Sequence, residues 1–262
     1  MEHAAGLGLT TIALTDHDSV DGCEEAEEAG LGCGVRVIRG CEFSVQAPWG
    51  ELHLLSYFLP SGNRDLTVLL GRQKEMRHRR VVTIVERLGD LGVRIGVDDV
   101  LRCANGGAVG RPHVARAMVE SGTARDVGDA FRRYLGANRP AFVPKQLPAL
   151  EDVATMVRSL GGVTSAAHLR SRGTRMTLSG LKAQNVDAVE VFHPAHSDAV
   201  SARISALATN TGMLRTGGSD WHGEVEAENS RALLGGTTIP ESWLKELDAL
   251  HGERLAIQDT LS

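Results

Sequence analysis

Short apolar and β-branched runs recur along this chain, each bounded by glycine or polar residues and separated by stretches whose apolar positions fall at helical spacing. The alternation predicts strands over 10–14, 35–39, 52–58, 163–167, 187–192 and 213–217. Helices are expected over 21–30, 151–160, 177–183, 198–211 and 240–250. Repeated β-α units of this kind build a parallel sheet covered by helices, an α/β architecture. "DGCEEAEEAG" fits the first of those helices, since its acidic opening turn suits the positive end of the helix dipole.

The middle reads differently. From about Asn63 to Pro148 helical periodicity dominates, in "RQKEMRHRRVVTIVERLGDLG", "DDVLRCA", "RPHVARAMVESG" and "DVGDAFRRYLG", each closed by glycine or a polar turn. This predicts a barrel domain over 1–62 and 148–262, with an all-helical insertion at 63–147 covering the site. "EHAAGLGL" reads as the end of a helix with no strand before it, so the chain is expected to begin in the middle of a β-α unit.

Composition narrows the partners. Hydrophobic residues make up 42% and charged residues 23% of 262, the balance of an ordinary globular protein. A net charge of −5 offers no basic field for duplex nucleic acid, although a local basic pocket could hold a small anion or a short strand end. Cys23, Cys33, Cys41 and Cys103 form no C-x-x-C pair, no leader-like segment opens the chain, and no apolar run reaches the roughly 20 residues of a membrane helix. A cytoplasmic protein that neither spans a membrane nor grips a duplex is expected; its oligomeric state is left open.

Candidate chemistry gathers at the strand ends. "TIALTDHD" delivers His17, "VRVIRGCE" Glu42, "GVTSAAH" His168, "DAVEVFHPAH" His193 and His196, and "LRTGGSDWH" Asp220 and His222, with His53 inside "GELHLLSYF". In a parallel barrel the C-terminal strand ends open on one face, so these side chains would converge. Imidazoles with carboxylates suit zinc, manganese or iron, and several carboxylates together can bridge more than one ion. His17 then reads as a ligand oriented by Asp16 or Asp18. His193 and His196 read equally as ligands or substrate contacts and as parts of a proline-containing turn.

Arg111 and His113 open a helix at "GRPHVARAM", where a guanidinium and backbone donors could hold phosphate, or where the helix simply starts in solvent. Arg77, His78, Arg79 and Arg80 read as a solvated helix face, and His3 and His251 as surface residues. "NGGAVG" and "TGGS" match no phosphate loop or dinucleotide fingerprint, which sets aside a nucleoside-triphosphatase.

Together "ALTDHDSVDG", "GCEFS", "ELHLLSYF", "GRPHVARAM", "AAH", "EVFHPAH" and "GSDWHG" resemble the PHP superfamily of metal-dependent phosphoesterases, the polymerase-and-histidinol-phosphatase group. The nearest branch removes phosphate from AMP or nucleoside 3',5'-bisphosphates and trims short RNA. The resemblance implies a distorted seven-stranded (β/α) barrel holding up to three Mn, Fe or Zn ions. Glu42 would bridge two metals, His53 and His168 would complete the second, Asp220 would serve the first, and His17 with His222 the third. Arg111, His113, His193 and His196 would lie near the phosphate, with Arg111 and His196 assisting hydrolysis of a phosphomonoester by metal-bound hydroxide.

Family members open with a strand bearing an H-x-H pair that this sequence lacks. The first strand is therefore expected to be missing, the first metal to keep only Glu42 and Asp220, and the true start to lie about 25 residues upstream. A truncated, metal-poor, inactive relative is one alternative. A metal-dependent hydrolase of C–N bonds is the other.

Overall fold

The structure, a computed structural model, describes residues 1–223 and 231–261. The chain divides into two units. The first comprises residues 1–16, 20–61 and 148–262, and the second residues 17–19 and 62–147.

The first unit is built on a six-stranded sheet in chain order: β1 (Thr11–Leu14), β2 (Arg36–Ala47), β3 (Gly50–Tyr57), β4 (Val163–Ala166), β5 (Ala188–Phe192) and β6 (Leu214–Gly217). The expected all-parallel sheet is corrected. β1 pairs parallel with β2, and β4, β5 and β6 run parallel to one another, but β3 is antiparallel to both β2 and β4. Parallel neighbours need a crossover of a dozen residues or more, whereas only Pro48 and Trp49 join β2 to β3, so the pair closes as a hairpin. β2 also runs past the expected end at 39. Glu42 consequently lies inside a strand and not at its tip.

Gly40 lets β2 pass close to its neighbours on the way to that point. A Cβ there would stand 2.6 Å from both the Ser56 carbonyl oxygen and Thr15 Cγ2. Only a residue without a side chain lets the three backbones approach this closely.

Helices α1 (Glu2–Gly6), α2 (Cys23–Cys33), α7 (Leu150–Ser159), α8 (Arg175–Ala183), α9 (Asp198–Thr211) and α10 (Glu241–Leu261) belong to this unit. Local chemistry sets their ends. Ser197 caps α9 by accepting the Val200 N–H at 3.4 Å, and Gly212 closes it in the left-handed conformation. His251 corrects its surface assignment, stacking on Phe58 at 4.5 Å between ring centroids and donating from Nδ1 to the Gly161 carbonyl at 2.8 Å.

The second unit contains α3 (Arg64–Asp90), α4 (Val97–Ala104), α5 (Arg111–Glu120), α6 (Val127–Ala130) and a π-helical turn at Phe131–Leu135. Val81, Ile84 and Leu88 recur at helical spacing on α3 and bury against Val100, Val114, Met118 and Leu135. The arginine run on α3 is only partly solvated, which corrects the uniform face read from sequence. Arg79 pairs with Glu75 in solvent, but Arg80 is buried and donates from Nε to the Val143 carbonyl at 2.8 Å. Arg77 turns its fork onto the buried carboxylate of Asp18, with Nε at 2.8 Å from Oδ2 and Nη2 on the same oxygen.

Candidate metal centre

The β2–β3 register places Ser44 opposite His53, and Glu42, two residues from Ser44, therefore faces the same side of the sheet as His53. A carboxylate only 5% exposed needs compensation. Two imidazoles supply it. Glu42 Oε1 lies 2.9 Å from His53 Nδ1 and 3.2 Å from His168 Nε2, and those two nitrogens are themselves 3.2 Å apart.

His53 also meets Glu51 Oε1 through Nε2 at 3.2 Å. Burial opposes a charge on His53, but the hydrogen bonds and negative charges of Glu42 and Glu51 outweigh it and raise the imidazole to about 9.

One carboxylate oxygen and two imidazole nitrogens make a borderline donor set of the kind zinc and similar ions take. Ligands bonded at about 2.0–2.1 Å stand roughly 2.8–3.4 Å from one another in octahedral or tetrahedral sites. The separations of 2.9, 3.2 and 3.2 Å fall in that range, so these residues fit a divalent cation.

His168 leaves β4 with φ +31°, outside the regions a residue with a Cβ favours. Its backbone N–H donates to Glu190 Oε2 at 2.7 Å. Glu190, on β5, is 4% exposed, and sequence reasoning missed it. The available signal was an acid inside the apolar run "AVEVF". Burial pushes its carboxyl well above the ordinary carboxylate range, the His168 amide pulls the other way, and the charges of Glu42 and Asp220 add to the rise.

Beyond His168 the histidines continue as a chain, with His168 and His193 ring centroids 5.1 Å apart and His193 and His196 5.6 Å apart. His193 Nδ1 accepts the Ala195 N–H at 3.0 Å, which puts the neutral ring's proton on Nε2, facing Asp220 Oδ2 at 3.3 Å. His193 thus orients Asp220, as outer partners of metal-binding carboxylates do. That bond, with the positive field of His222, holds the Asp220 carboxyl below its usual value against the cost of burial. His222, exposed, donates from Nδ1 to the Asp220 carbonyl at 2.9 Å.

His196 is corrected as a substrate contact and proton donor. It is 2% exposed, its Nδ1 donates to the Val191 carbonyl at 2.9 Å, and its Nε2 accepts the Arg170 N–H at 3.2 Å. Both ring nitrogens are committed to backbone, so it ties the exit of β5 to the loop after His168.

In the first unit the Glu42 N–H donates to the Asp16 carbonyl at 3.0 Å, while His17, the next residue, belongs to the second unit with Arg111 and His113. Arg111 Nη1 donates to the Leu135 carbonyl at 3.1 Å, and its guanidinium lies 5.6 Å from the Phe131 ring centre and 5.3 Å from that of Phe142. His113 Nδ1 accepts the Gly110 N–H at 3.1 Å. Burial first, then the positive charges of Arg116 and Arg77, lower His113 below the usual histidine value.

Comparison with known proteins finds relatives that act on nucleotides and nucleic acid. The 5'-3' exoribonuclease Rnm of Escherichia coli is 28% identical over 85% of the chain and 78% of its own length. The 3',5'-nucleoside bisphosphate phosphatase of Chromobacterium violaceum is 29% identical over 86% of the chain and 81% of its own. A crystal structure from Bifidobacterium adolescentis, provisionally named a metal-dependent phosphoesterase, superposes with a TM-score of 0.83 at 29% identity, covering 95% of this chain and 88% of that one.

The chain is a relative of metal-dependent phosphoesterases.

These names bear out the resemblance to the PHP superfamily. No protein-family model matches the chain. A structure from C. violaceum named an amidohydrolase, holding sulfate and no metal, also superposes, with a TM-score of 0.80 at 26% identity over 94% of this chain and 88% of that one. This phosphoesterase relative has a mixed α/β fold whose six described strands form a curled half-barrel, in accord with a PHP-like barrel. No described helix is long and apolar enough to cross a membrane.

Proposed function

We propose that the protein hydrolyses phosphomonoesters of nucleotides, with AMP, a nucleoside 3',5'-bisphosphate or the end of a short RNA as substrate, using Mn, Fe or Zn. The observation that carries this reading is the buried Glu42 carboxylate shared by His53 and His168 in a chain related to nucleotide-acting phosphoesterases. Glu42, His53, His168 and Asp220 serve as ligands, with His17 and His222 as further ones. A divalent ion held there acidifies water at neutral pH and withdraws charge from phosphoryl oxygens.

The chain's own groups do the rest. His193 Nε2–H keeps the Asp220 carboxylate turned to its task. Arg111 supplies a planar, permanently charged fork for phosphate oxygens, with the rings of Phe131 and Phe142 beside it. His113 stays neutral near pH 7, and because Nδ1 is occupied by the Gly110 N–H, its Nε2–H is the donor left for an anion.

Phosphate release from AMP, adenosine 3',5'-bisphosphate and a 5'-phosphorylated oligoribonucleotide, measured on chelator-stripped protein reloaded with each metal, tests the proposal. Turnover that returns with metal is the expected result. A protein that binds metal yet frees no phosphate from any of the three overturns it. The amidohydrolase name on one structural neighbour favours the second reading, C–N bond hydrolysis, for which ammonia or carboxylate release is the distinguishing product.

A further inference from the structure

We propose that Glu190 is a positioning residue for His168: by accepting the His168 backbone N–H, it holds that residue in the left-handed conformation that aims Nε2 at Glu42. The inference rests on the metal-site reading above and extends it to a side chain outside the ligand set.

Three features of the structure carry it. The first is the local ladder. Glu190 pairs with Thr216 and Phe192 with Gly217, so β5 spends one extra residue, Val191, against β6. Such a bulge re-aims the side chains beside it. The carbonyl that Val191 turns out of the ladder is taken by His196 Nδ1 at 2.9 Å and Ser201 Oγ at 3.0 Å, which makes the distortion a satisfied feature of the strand.

The second is the bond itself. At 2.7 Å the His168 N–H to Glu190 Oε2 contact lies at the short end of the N–H···O range, and the side chain that accepts it is buried. The third is strain. His168 at φ +31° is followed two residues later by Arg170 at +51°, and backbone in this region persists only where its surroundings over-determine it. Ala167 N–H is bound to the His53 carbonyl at 3.0 Å and Arg170 N–H to His196 Nε2 at 3.2 Å. Between those two anchors, Glu190 is the acceptor that fixes the His168 peptide.

An acceptor role and a ligand role differ in what they tolerate. Glu190→Gln keeps a carbonyl oxygen in the same place, whereas Glu190→Ala removes the acceptor. Full-length protein is stripped with chelator and titrated with Mn and with Zn, and bound metal is read by elemental analysis. In the metal-free state, the exchange protection of the His168 amide is read by NMR.

The expected result is metal affinity within about threefold of wild type for Gln and about 10- to 100-fold weaker for Ala, the range for loss of a group that orients a ligand. The His168 amide is expected to stay protected in the Gln variant and to lose protection in the Ala variant. If the Ala chain does not fold, Glu190→Asp, which withdraws the carboxylate by one methylene, carries the same comparison.

Equal metal affinity in wild type and the acceptor-deficient variant overturns this inference alone. A Gln variant as impaired as Ala also overturns it, because a retained acceptor oxygen would then not be what matters. Wild-type protein that takes up neither Mn nor Zn overturns the functional reading and this inference together.

Discussion

Glu42 and His53 stand one diagonal step apart across the β2–β3 ladder, and that offset brings Oε1 of the one to 2.9 Å from Nδ1 of the other. A two-residue hairpin connection sets this register, so the shape of the turn at Pro48 and Trp49 is built into the candidate metal centre.

Glu42→Gln keeps the side chain's size while removing its charge. Bound Mn or Zn per chain should fall, and phosphate release should drop by at least about 100-fold, since changes to groups that merely orient ligands already cost about 10- to 100-fold. Elemental analysis beside a phosphate assay checks both.

Arg111→Lys keeps the positive charge but loses the planar fork that Phe131 and Phe142 flank. If Arg111 grips phosphate as proposed, in the ground and transition states alike, the KM for nucleotide should rise roughly tenfold with a smaller change in kcat. Steady-state kinetics on adenosine 3',5'-bisphosphate decides the matter, and a change confined to kcat would count against a phosphate-binding role.

Arg254 on α10 closes over Asp187 at the start of β5, with Nη2 2.5 Å from Oδ1 and Nη1 3.0 Å from Oδ2, and both side chains are buried. Thr164 adds its N–H to the same carboxylate at 2.9 Å. Arg254→Met leaves Asp187 buried without its cation and should destabilise the first unit by about 3–5 kcal/mol. Urea unfolding measures the loss, while activity per folded molecule in native conditions should hold.

Asp129 gives the second unit a pH dependence of its own. The Arg125 N–H, and then the side chains of Arg133 and Arg125, hold its carboxyl below the ordinary range. A depressed folded value means the stabilisation is complete above the unfolded carboxylate value of about 3.9 and is lost as pH falls through the folded one. Wild type should therefore exceed Asp129→Asn in stability near neutrality, and the two should converge in acid. Hydrogen exchange over 111–135 at a series of pH values follows the gap.

Element positions were legible from local pattern. Helix α9 falls on the expected 198–211, because its capping serine and closing glycine act within a few residues of its ends. Strands β1, β4, β5 and β6 begin and end within one residue of expectation for the same reason. The candidate ligands Glu42, His53 and His168 were legible too, as polar residues on or beside apolar strands. Their convergence was expected, and the structure supplied the distances at Glu42 Oε1.

Sequence determined which segments become strands and helices and which side chains bring metal-binding chemistry, because periodicity, capping and donor type are properties of a residue and its near neighbours. Tertiary structure alone decided that β3 runs against its partners, that Glu190 lies beneath His168, that both His196 nitrogens are committed to backbone, and that Arg77 and Arg80 turn inward. Each of these depends on strand register or on packing between segments far apart in the chain, and no local pattern encodes which distant group will stand within hydrogen-bond reach.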